Sequence, residues 1–379
     1  MLPLEGVRVL DLSRVLAGPY ATMVLADLGA DVIKVEHPER GDDTRHWGPP
    51  FAGSEAAYFL SVNRNKRSIG VDLKTEEGLE WIKKLAAGAD VLIENLRRGA
   101  LERFGLGYEA LRETNPGLVY CSITGFGPGK DQDRPGYDFL IQARGGIMGI
   151  TGFPDGGPTK VGVAIADIVC GLYAATAVLA TLHRRSETGE GARIEVPLFE
   201  TQLSWLANRA QEYLVSGEDK GRMGNAHPTI VPYQTFDASD KPIAVAVGNN
   251  TQFANLCKAI GREELARDQR YATNPDRVAN REELVEILQQ EFSRRTADEW
   301  VEEIREAGVP CGPVNALADV FTDEHVLSSG ILQDVDHPAA GMLKMLASPV
   351  FVDGGRLPIR RPPPTLGQHT EELENGAWE

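Results

Sequence analysis

Asp167 is a carboxylate that stands at the start of a long apolar stretch, Ile168-Val169-Cys170-Gly171-Leu172. The stretch continues to about His183, and its length and alanine content predict a buried helix. Aspartate is a favoured N-cap residue, so the simplest interpretation of Asp167 is structural. The same position also suits chemistry, because a helix dipole keeps a carboxylate at its N-terminus ionised, and an ionised carboxylate needs no general base to act as a nucleophile. The two roles are compatible, and Asp167 is a candidate nucleophile.

Two glycine-containing stretches precede Asp167, at residues 124–129 and 143–148. Glycine permits tight turns and close packing of main chain, which is the structural interpretation. A functional interpretation is equally open, because a surface without side chains lets a substrate lie against the backbone. The stretches are therefore candidates for the neighbourhood of the site.

Other kinds of catalytic site have little support. The four cysteines, Cys121, Cys170, Cys257 and Cys311, are scattered, which predicts free buried thiols. The histidines show no zinc-binding spacing, so no metal site is expected. There is no phosphate loop and no Gly-x-Ser-x-Gly elbow. These motifs therefore do not identify the catalytic residues of this chain.

A nicotinamide-dependent enzyme is an alternative that the start of the chain suggests. Glu36 lies 18 residues after Gly18, close to the spacing at which an acid would bind a ribose hydroxyl. The intervening loop, residues 13–19, has one glycine where the dinucleotide fingerprint needs three. Hydride transfer therefore rests on fold analogy alone.

Composition limits the classes of partner and the location. The 379-residue chain has a formal net charge of −16, which argues against a nucleic-acid-binding protein and against binding to anionic membranes. The N-terminus does not resemble a targeting signal, and no stretch is expected to reach the ~18 apolar residues of a membrane span. We expect a cytoplasmic protein.

Strands and helices alternate through the first half of the chain. Strands are predicted at residues 7–12, 32–36, 68–73, 90–94, 118–123 and 193–198, and helices at 20–28, 75–87, 108–113, 167–183 and 200–215. This alternation predicts an α/β fold with a doubly wound, mostly parallel sheet covered on both faces. The composition changes near Gly217. A strand at 243–247 and amphipathic helices at 252–260, 281–292 and 297–307 predict a second, smaller α/β domain.

Seven motifs occur in order along the chain: Arg14-Val15-Leu16-Ala17-Gly18-Pro19, Gly29-Ala30-Asp31-Val32-Ile33-Lys34-Val35-Glu36, Asn63-Arg64-Asn65-Lys66-Arg67-Ser68, Glu94-Asn95-Leu96, Gly136-Tyr137-Asp138, the Asp167 region and Cys311-Gly312-Pro313-Val314-Asn315. Together they resemble the class III CoA-transferases, the carnitine/bile-acid-inducible family, over nearly the whole chain. The resemblance implies two ring-shaped subunits threaded through each other as an interlocked homodimer. It implies a large CoA-binding domain from residues 1–200 and 333–379, a small domain at 225–320, and linkers at 201–224 and 321–332.

The resemblance also implies roles for individual residues. The family nucleophile falls on Asp167. CoA contacts fall on Leu16, Ala17, Val71, Asp72, Leu73, Lys74, Asn95, Leu96, Arg97 and Arg103, and Arg134 matches a further basic contact. A family position that is often arginine is His37 here, and Arg40 is the candidate to replace that contact. Lys74 and Arg103 would bind the nucleotide phosphates, although a solvated helix face is the ordinary place for such residues.

The mechanism that the resemblance implies is covalent catalysis. Asp167 attacks the donor thioester to give a mixed anhydride, the released CoA thiolate attacks the aspartyl carbonyl, and the acceptor acid takes CoA from the aspartyl thioester. One thioester replaces another, so coenzyme A is a substrate and no tightly bound cofactor is expected.

Two alternatives to a transferase remain open at this point. The 2-methylacyl-CoA racemases share the fold but carry histidine where this chain has Tyr137, and a tyrosine with a pKa near 10 is a poor base at neutral pH. A protein that only binds CoA esters would have no need of a nucleophile at Asp167. The sequence favours the transferase over both.

Three further motifs narrow the resemblance to the succinyl-CoA:glutarate group. They are residues 41–50, residues 60–66 and Ile230-Val231-Pro232-Tyr233-Gln234. A dicarboxylic acceptor would need a cation for its distal carboxylate, and Arg14 and Arg45 are the candidates. Trp47 and Tyr137 are predicted to wall the acyl site.

Overall fold

The computed structural model describes residues 1–374 and 378, and the chain forms two compact units. The first comprises Met1–Ile147, Val161–Glu212 and Glu324–Glu379, and the second comprises Met148–Lys160 and Tyr213–Asp323. These bounds differ from the predicted domains, chiefly because residues 148–160 group with the second unit. The predicted domain arrangement itself stays a prediction.

The elements alternate between strand and helix in the first half of the chain. The strands are β1 (Arg8–Asp11), β2 (Asp31–Glu36), β3 (Phe51–Ala52), β4 (Glu55–Ala56), β5 (Lys66–Gly70), β6 (Val91–Glu94), β7 (Val119–Thr124), β8 (Ala192–Pro197), β9 (Tyr233–Asp237), β10 (Pro242–Ala246), β11 (Cys311–Pro313), β12 (Leu332–His337), β13 (Gly341–Leu346), β14 (Phe351–Val352) and β15 (Gly355–Arg356).

The α-helices are α1 (Ala17–Asp27), α2 (Ala57–Ser61), α3 (Glu76–Ala87), α4 (Tyr108–Thr114), α5 (Asp138–Arg144), α6 (Ile147–Ile150), α7 (Ile165–Thr188), α8 (Leu198–Trp205), α9 (Ala207–Ser216), α10 (Asn250–Ala259), α11 (Glu263–Arg267), α12 (Asn274–Ala279), α13 (Arg281–Phe292), α14 (Ala297–Glu306), α15 (Leu317–Thr322), α16 (Glu324–Ser328) and α17 (Thr370–Glu374). Short 3₁₀ turns lie at Asp43–His46, Glu102–Phe104 and Gln269–Tyr271.

A six-stranded parallel sheet organises the first unit, in the order β5-β2-β1-β6-β7-β8. In β1, Leu10 pairs with Ile33 of β2 on one side and with Leu92 of β6 on the other. The strand order reverses between β1 and β6, and in doubly wound sheets ligands bind beyond the carboxyl ends of the strands at such a point. The predicted α/β fold with a large parallel sheet is confirmed.

Successive residues of the central strands enter opposite cores, as the pleat requires. Val9 belongs to the core that α1 and α7 cover, whereas Leu10 belongs to the core that α3 and α4 cover. Helices therefore shield both faces, which is why consecutive residues such as Val9 and Leu10 of β1, or residues 91–93 of β6, are apolar and buried. The prediction of a doubly covered sheet is confirmed by these two cores.

The free edge of β5 is covered by a segment from the far end of the sequence. Asn65, just before β5, donates its main-chain N–H to the Arg361 carbonyl at 3.0 Å. Further along, His369 donates its N–H to the Ser68 carbonyl at 2.9 Å, and Gly70 donates to the Thr370 hydroxyl at 3.0 Å. These bonds satisfy edge groups that would otherwise be open for pairing.

Helix α7 is the longest helix among the described residues. It begins at Ile165 and ends before Gly189, whose φ of 73° provides the left-handed C-terminal stop. By length and composition it could cross a membrane, although helices buried in protein cores pass the same test. The expectation that no stretch would be long and apolar enough was therefore wrong.

The second unit has its own core. A three-stranded antiparallel sheet in the order β11-β10-β9 packs with α10, α13 and α14 around a separate apolar cluster. Two of its helices begin with capping boxes, Thr273 with Asp276 and Thr296 with Glu299. The predicted strand at 243–247 and the three predicted helices are present within one or two residues of their expected ends.

Three features of the chain differ from the predicted elements. The helix expected at 200–215 is two helices, α8 and α9, separated at Leu206, after which Ala207 has a φ of 48°. Strand β5, which was predicted at residues 68–73, begins two residues earlier, at Lys66. The Pro- and Gly-rich region after Leu332 contains an antiparallel hairpin, β12 with β13, that the sequence analysis did not predict.

Candidate functional site

The carboxyl ends of β1, β6 and β7 open into a cavity of the first unit. The segment after β1, the segment after β6 and the glycine-containing segment after β7 line it, together with Asp167 from the first turn of α7. Its volume is about 230 Å³. The site therefore occupies the position at which doubly wound sheets bind ligands, and we call it the first cavity.

Asp167 is the third residue of α7, and Ala164 occupies the N-cap position. The prediction that Asp167 caps the helix was wrong. The cap function comes from a distant residue, because the Asp138 carboxylate accepts the main-chain N–H groups of Ala166 at 2.8 Å and of Asp167 at 3.3 Å. The Asp167 side chain is thereby left without a capping role and lines the first cavity.

The environment of Asp167 makes it a weaker acid than ordinary aspartate. Burial raises the pKa of its carboxyl group to about 7, and the negative charge of Asp138 adds to the rise. The side chain is 9% exposed, and no donor in residues 1–374 or 378 forms a hydrogen bond to it. From its place at a helix N-terminus this carboxylate was expected to be kept ionised, whereas in the structure its pKa is raised to about 7. Once ionised, a mostly buried carboxylate with no hydrogen-bond donor from the described residues is a reactive nucleophile.

A second cavity of about 410 Å³ adjoins the first. It is lined by His37, Arg40, the stretch 71–74 and Leu96, and it shares Arg14, Asp43 and Leu96 with the first cavity. The shared residues make the two cavities neighbours. A ligand with a nucleotide at one end and a reactive acyl group at the other would fit this arrangement.

The predicted CoA contacts divide between the two cavities. His37, Val71, Asp72, Leu73 and Lys74 line the second cavity, whereas Leu16, Ala17, Asn95, Arg97 and Arg134 line the first, and Leu96 lines both. Arg103 lines neither, but it is exposed on the short 3₁₀ turn Glu102–Phe104, and Phe104 lines the second cavity. The structure thus brings most of this set together.

Exposed cations lie at or beside both cavities of this acidic chain: Lys74 lines the second cavity, Arg97 lines the first, and Arg103 precedes Phe104 of the second. Lys74, Arg97 and Arg103 are exposed, and no carboxylate of the described residues pairs with them. Exposed cations without a carboxylate partner are available for charge-assisted hydrogen bonds to phosphate oxygens. They provide local positive charge despite the net charge of −16.

Arg45 does not have the role that the sequence analysis predicted. Its guanidinium forms two bonds of 2.7 Å to Glu36 and one of 3.1 Å to Glu55, and it lies 3.6 Å above the centre of the Phe59 ring. It is 7% exposed and lines neither cavity. Because these partners occupy the guanidinium, it is not available for an acceptor carboxylate, and the assignment is corrected.

The other three predicted acyl-site residues have different surroundings. Arg14 lines both cavities, and its half-exposed guanidinium makes only a loose contact with Asp43 at 3.4 Å. Tyr137 is exposed and lines the first cavity. Trp47 lines neither cavity and packs its ring edge-on against Tyr58 at 5.3 Å.

Sequence reasoning missed two residues near Asp167. Asp138 was noted only as part of a motif, and its cap contact spans 29 residues, so no local signal could reveal it. Tyr58 on α2 is half-buried, and burial together with the charges of Asp167, Asp138 and Asp42 raises its pKa to about 12. Tyr58 therefore keeps its hydroxyl proton at neutral pH, and it packs against the same apolar cluster as Ile168, the residue after Asp167.

The glycines after β7 form a close main-chain contact at the cavity wall. A Cβ atom on Gly125 would lie 2.5 Å from the Gly136 nitrogen, a distance that no side chain allows. Both glycines line the first cavity. The expected close packing of this stretch is therefore present. In the described part of the chain, His, Cys, Asp and Glu form no group of three that could hold a metal ion.

Comparison with known proteins connects this geometry to one family. The model of the family described as CoA-transferase family III matches residues 4–370. The succinyl-CoA:glutarate CoA-transferase of Mus musculus is 46% identical over 374 residues, which are 98% of this chain and 86% of that protein. The succinate–glutarate CoA-transferase of Agrobacterium fabrum is 44% identical over 378 residues, covering 98% and 94% of the two chains.

A solved structure has the same fold over the full length. The crystal structure of a CAIB/BAIF family protein from Brucella suis superposes with a TM-score of 0.88 at 46% sequence identity, covering 99% of each chain. The two-cavity site lies within the region that all these comparisons cover.

Proposed function

Since this chain belongs to CoA-transferase family III and is therefore a CoA-transferase, we propose that it transfers CoA from succinyl-CoA to a free dicarboxylic acid such as glutarate, with Asp167 as the covalent nucleophile. The observation that carries the proposal is the position of Asp167, a buried carboxylate without a hydrogen-bond donor in a cavity next to a second, cation-rimmed cavity. The named activities of the mouse and Agrobacterium relatives support the choice of acids.

The proposed reaction begins with ionised Asp167 attacking the carbonyl carbon of succinyl-CoA. The C–S bond breaks, CoA leaves as thiolate, and a succinyl-aspartyl anhydride forms. The thiolate then attacks the aspartyl carbonyl carbon, which releases succinate and gives an aspartyl-CoA thioester. Glutarate attacks that thioester to form a second anhydride, and the thiolate returns to the glutaryl carbonyl, which gives glutaryl-CoA and regenerates the Asp167 carboxylate.

Each step exchanges one activated acyl group for another, so the sequence needs neither ATP nor a redox partner. Coenzyme A enters as a substrate. Dividing the exchange into acyl-enzyme steps lowers each barrier, provided that the thiolate stays in the site between them. The second cavity would retain CoA through its phosphates, with Lys74, His37 or Arg40, and the nearby Arg103 as the proposed contacts. Arg97 and Arg134 are the proposed contacts at the first cavity.

Arg14 is the proposed partner of the distal carboxylate of the acceptor. It lines the same cavity as Asp167, and its contact with Asp43 is long and solvent-exposed, so the guanidinium can take a better partner. Tyr137, from the rim of the first cavity, is proposed to wall the acyl group. The racemase and the binding-only alternatives are not favoured, because the relatives are named as CoA-transferases.

We also propose the interlocked homodimer for this chain. In the first unit, α5 and α7 contact each other and expose large apolar side chains, including Phe139 and Leu140 on α5 and Leu172 and Tyr173 on α7. Apolar surface of this kind is typical of an interface. Interlocked subunits cannot exchange without unfolding, so mixing tagged and untagged protein should yield no hybrid dimers until both are denatured and refolded together. Hybrids that form in native buffer would contradict interlocking.

The test of the activity uses succinyl-CoA with a pool of acids that includes glutarate, malate, oxalate and acetate. Mass spectrometry should identify a new dicarboxylyl-CoA ester that is absent with Asp167→Ala and still present with Asp155→Ala, a matched change of an exposed carboxylate. After rapid quenching, a peptide containing Asp167 should be heavier by the mass of CoA less one water, as an aspartyl-CoA thioester requires. New esters formed equally by Asp167→Ala would exclude the proposed nucleophile, and no ester from any acid would exclude the donor and acceptor.

A further inference from the structure

The segment between β1 and α1 is built in a strained form. Val15 has a φ of 69°, a left-handed conformation that β-branched residues rarely adopt. The next two residues, Leu16 and Ala17, line the first cavity together with Asp167. Backbone strain of this kind persists only where the surroundings enforce it, so the contacts of this segment identify what enforces it.

Asn95 binds the main chain of Arg14 with both ends of its amide. The Asn95 Oδ1 atom accepts the Arg14 N–H at 2.8 Å, and its Nδ2 atom donates to the Arg14 carbonyl at 2.7 Å. Asn95 directly follows β6, whereas Arg14 follows β1, and these neighbouring strands mark the reversal in strand order. One side chain thus ties together the two segments between which the ligand site opens.

Asp42 binds the main chain of the next residue, Val15. Both of its carboxylate oxygens lie 3.2 Å from the Val15 nitrogen and accept its N–H. Asp42 is 1% exposed, and the fully buried Lys34 ammonium lies 2.8 Å from its Oδ2 atom. The same ammonium donates to the Ser13 carbonyl at 2.9 Å. Three side chains therefore bind four consecutive main-chain groups between Ser13 and Val15, an arrangement that we call the clamp.

We propose that Asn95 is a positioning residue for the transfer reaction, acting through the main chain of residues 14–16 with support from Asp42. The inference rests on the proposed function, because it concerns where the thioester lies relative to Asp167. Asn95 was expected to contact CoA, but both ends of its amide are already bonded to Arg14. Its side chain fixes the cavity wall instead.

The proposed role concerns turnover more than binding. The thioester carbonyl must lie in contact distance of the Asp167 carboxylate, and the thiolate must stay within reach of the anhydride. A displacement of about 1 Å in such a site costs roughly 100-fold in rate. CoA affinity depends mainly on the cation-rimmed second cavity, so loosening the clamp should lower kcat with little effect on the affinity for free CoA.

The experiment compares the wild-type enzyme with Asn95→Ala, Asn95→Asp, Val15→Gly and the Asn95→Ala/Val15→Gly double variant. Hydrogen–deuterium exchange of a peptide spanning residues 10–20 reports the clamp, calorimetry gives the Kd for CoA, and steady-state assays give kcat. In Asn95→Ala we expect faster exchange in that peptide, a kcat at least 10-fold lower and a Kd within threefold of the wild type. Asn95→Asp keeps the acceptor for the Arg14 N–H and should be intermediate, and it replaces the alanine variant if that variant fails to fold.

Val15→Gly provides the rescue that a merely structural role would not show. Glycine adopts a positive φ without steric strain, so it removes part of what Asn95 must oppose. The double variant should therefore recover kcat at least threefold over Asn95→Ala alone. Absence of recovery would overturn the proposal, as would an unchanged kcat in Asn95→Ala or a loss of CoA affinity as large as the loss of kcat.

The exchange measurement needs no turnover, so it separates the two proposals. A wild-type enzyme that transfers no CoA would remove the proposed function. Unchanged exchange of the 10–20 peptide in Asn95→Ala and Asn95→Asp would remove the clamp even in a fully active enzyme.

Discussion

The Asp138 carboxylate accepts the main-chain N–H of Asp167 at 3.3 Å and that of Ala166 at 2.8 Å, so one acidic residue caps the helix whose first turn carries another. The arrangement has two opposing effects. The cap fixes the backbone from which Asp167 projects into the cavity, and its negative charge makes ionisation of Asp167 more difficult. The position and the acidity of the proposed nucleophile are thus set by the same neighbour.

The pH dependence of the reaction follows from this relationship. Asp167 must be ionised to attack, and its pKa is raised to about 7, first by burial and then by Asp138. The value of kcat/KM should therefore rise with pH through about 7. Asp138→Asn removes the negative charge beside Asp167, so the acid limb of the profile should move to lower pH. The pKa of Asp167 should still stay above 3.8, because the carboxyl group remains buried. Profiles between pH 5 and 9 test this, with Asp155→Asn as the control, and an acid limb that does not move would contradict the role of Asp138.

The same raised pKa predicts a change in stability with pH. An acid whose pKa is higher in the folded state costs stability as pH rises from its unfolded value of 3.8 to about 7, and the cost then levels off. The full penalty is roughly 4 kcal/mol. Asp167→Asn removes this penalty. The difference in free energy of unfolding between the variant and the wild type, measured with urea, should therefore be larger at pH 8 than at pH 4.5, in favour of the variant. A gain that is the same at both pH values would show that ionisation of Asp167 is not its source.

Arg45 is predicted to matter for folding and not for acceptor choice. Its removal leaves Glu36 and Glu55 buried without their cation, a loss that typically costs about 3–5 kcal/mol. Arg45→Met should therefore lower the unfolding midpoint strongly, while Arg45→Lys retains one charge and loses less. At a temperature where the variants stay folded, the ratio of KM for glutarate to KM for a monocarboxylate should not change. A selective rise for glutarate would restore Arg45 to the acyl site.

Arg14 is predicted to discriminate dicarboxylates from monocarboxylates. If its guanidinium binds the distal carboxylate, Arg14→Gln should raise the KM for glutarate about 10-fold or more, which is the effect expected from the loss of one charge-assisted hydrogen bond. The KM for butyrate, which has no distal carboxylate, should stay within twofold of the wild-type value. The control is Arg8→Gln, an exposed arginine at the amino end of β1, away from the ligand edge. Equal effects on both acids would mean that Arg14 does not contact the distal group.

Lys74 is predicted to bind the nucleotide end of the CoA substrate. Lys74→Ala should raise the KM for succinyl-CoA about 5- to 20-fold and weaken its dependence on salt, since exposed charge pairs are screened. Lys84 offers a matched control, because it is exposed on the nearby helix α3 but lines neither cavity. The prediction fails if Lys84→Ala has the same effect, because net charge alone would then be responsible.

Local sequence signals predicted the parallel sheet and its helices well. The β1–α1–β2 unit follows from short apolar strands around a helix with Pro19 in its first turn. Helix α7 follows from an apolar run too long for a strand. These elements depend on neighbours within a few residues, which is the range over which sequence patterns are informative.

The features that sequence reasoning missed depend on contacts between distant residues. Asp138 caps α7 across 28 residues, and Arg45 pairs with Glu36 across nine and Glu55 across ten. No pattern of residue types distinguishes an arginine that binds substrate from one that is buried between two glutamates. The break before Ala207 likewise has neither glycine nor proline to announce it.

The cover on the edge of β5 has a consequence for how the protein is made. Residues 361–370 complete the hydrogen bonding of Asn65, Ser68 and Gly70, which precede them by about 300 positions. During translation, the six strands of the sheet leave the ribosome long before this cover exists. Most of the second unit, residues 213–323, is synthesised in between, and this unit has a core of its own that can form before the cover. Nascent chains would therefore carry an open sheet edge until residues 361–370 have been synthesised, and such an edge is a template for pairing with other chains.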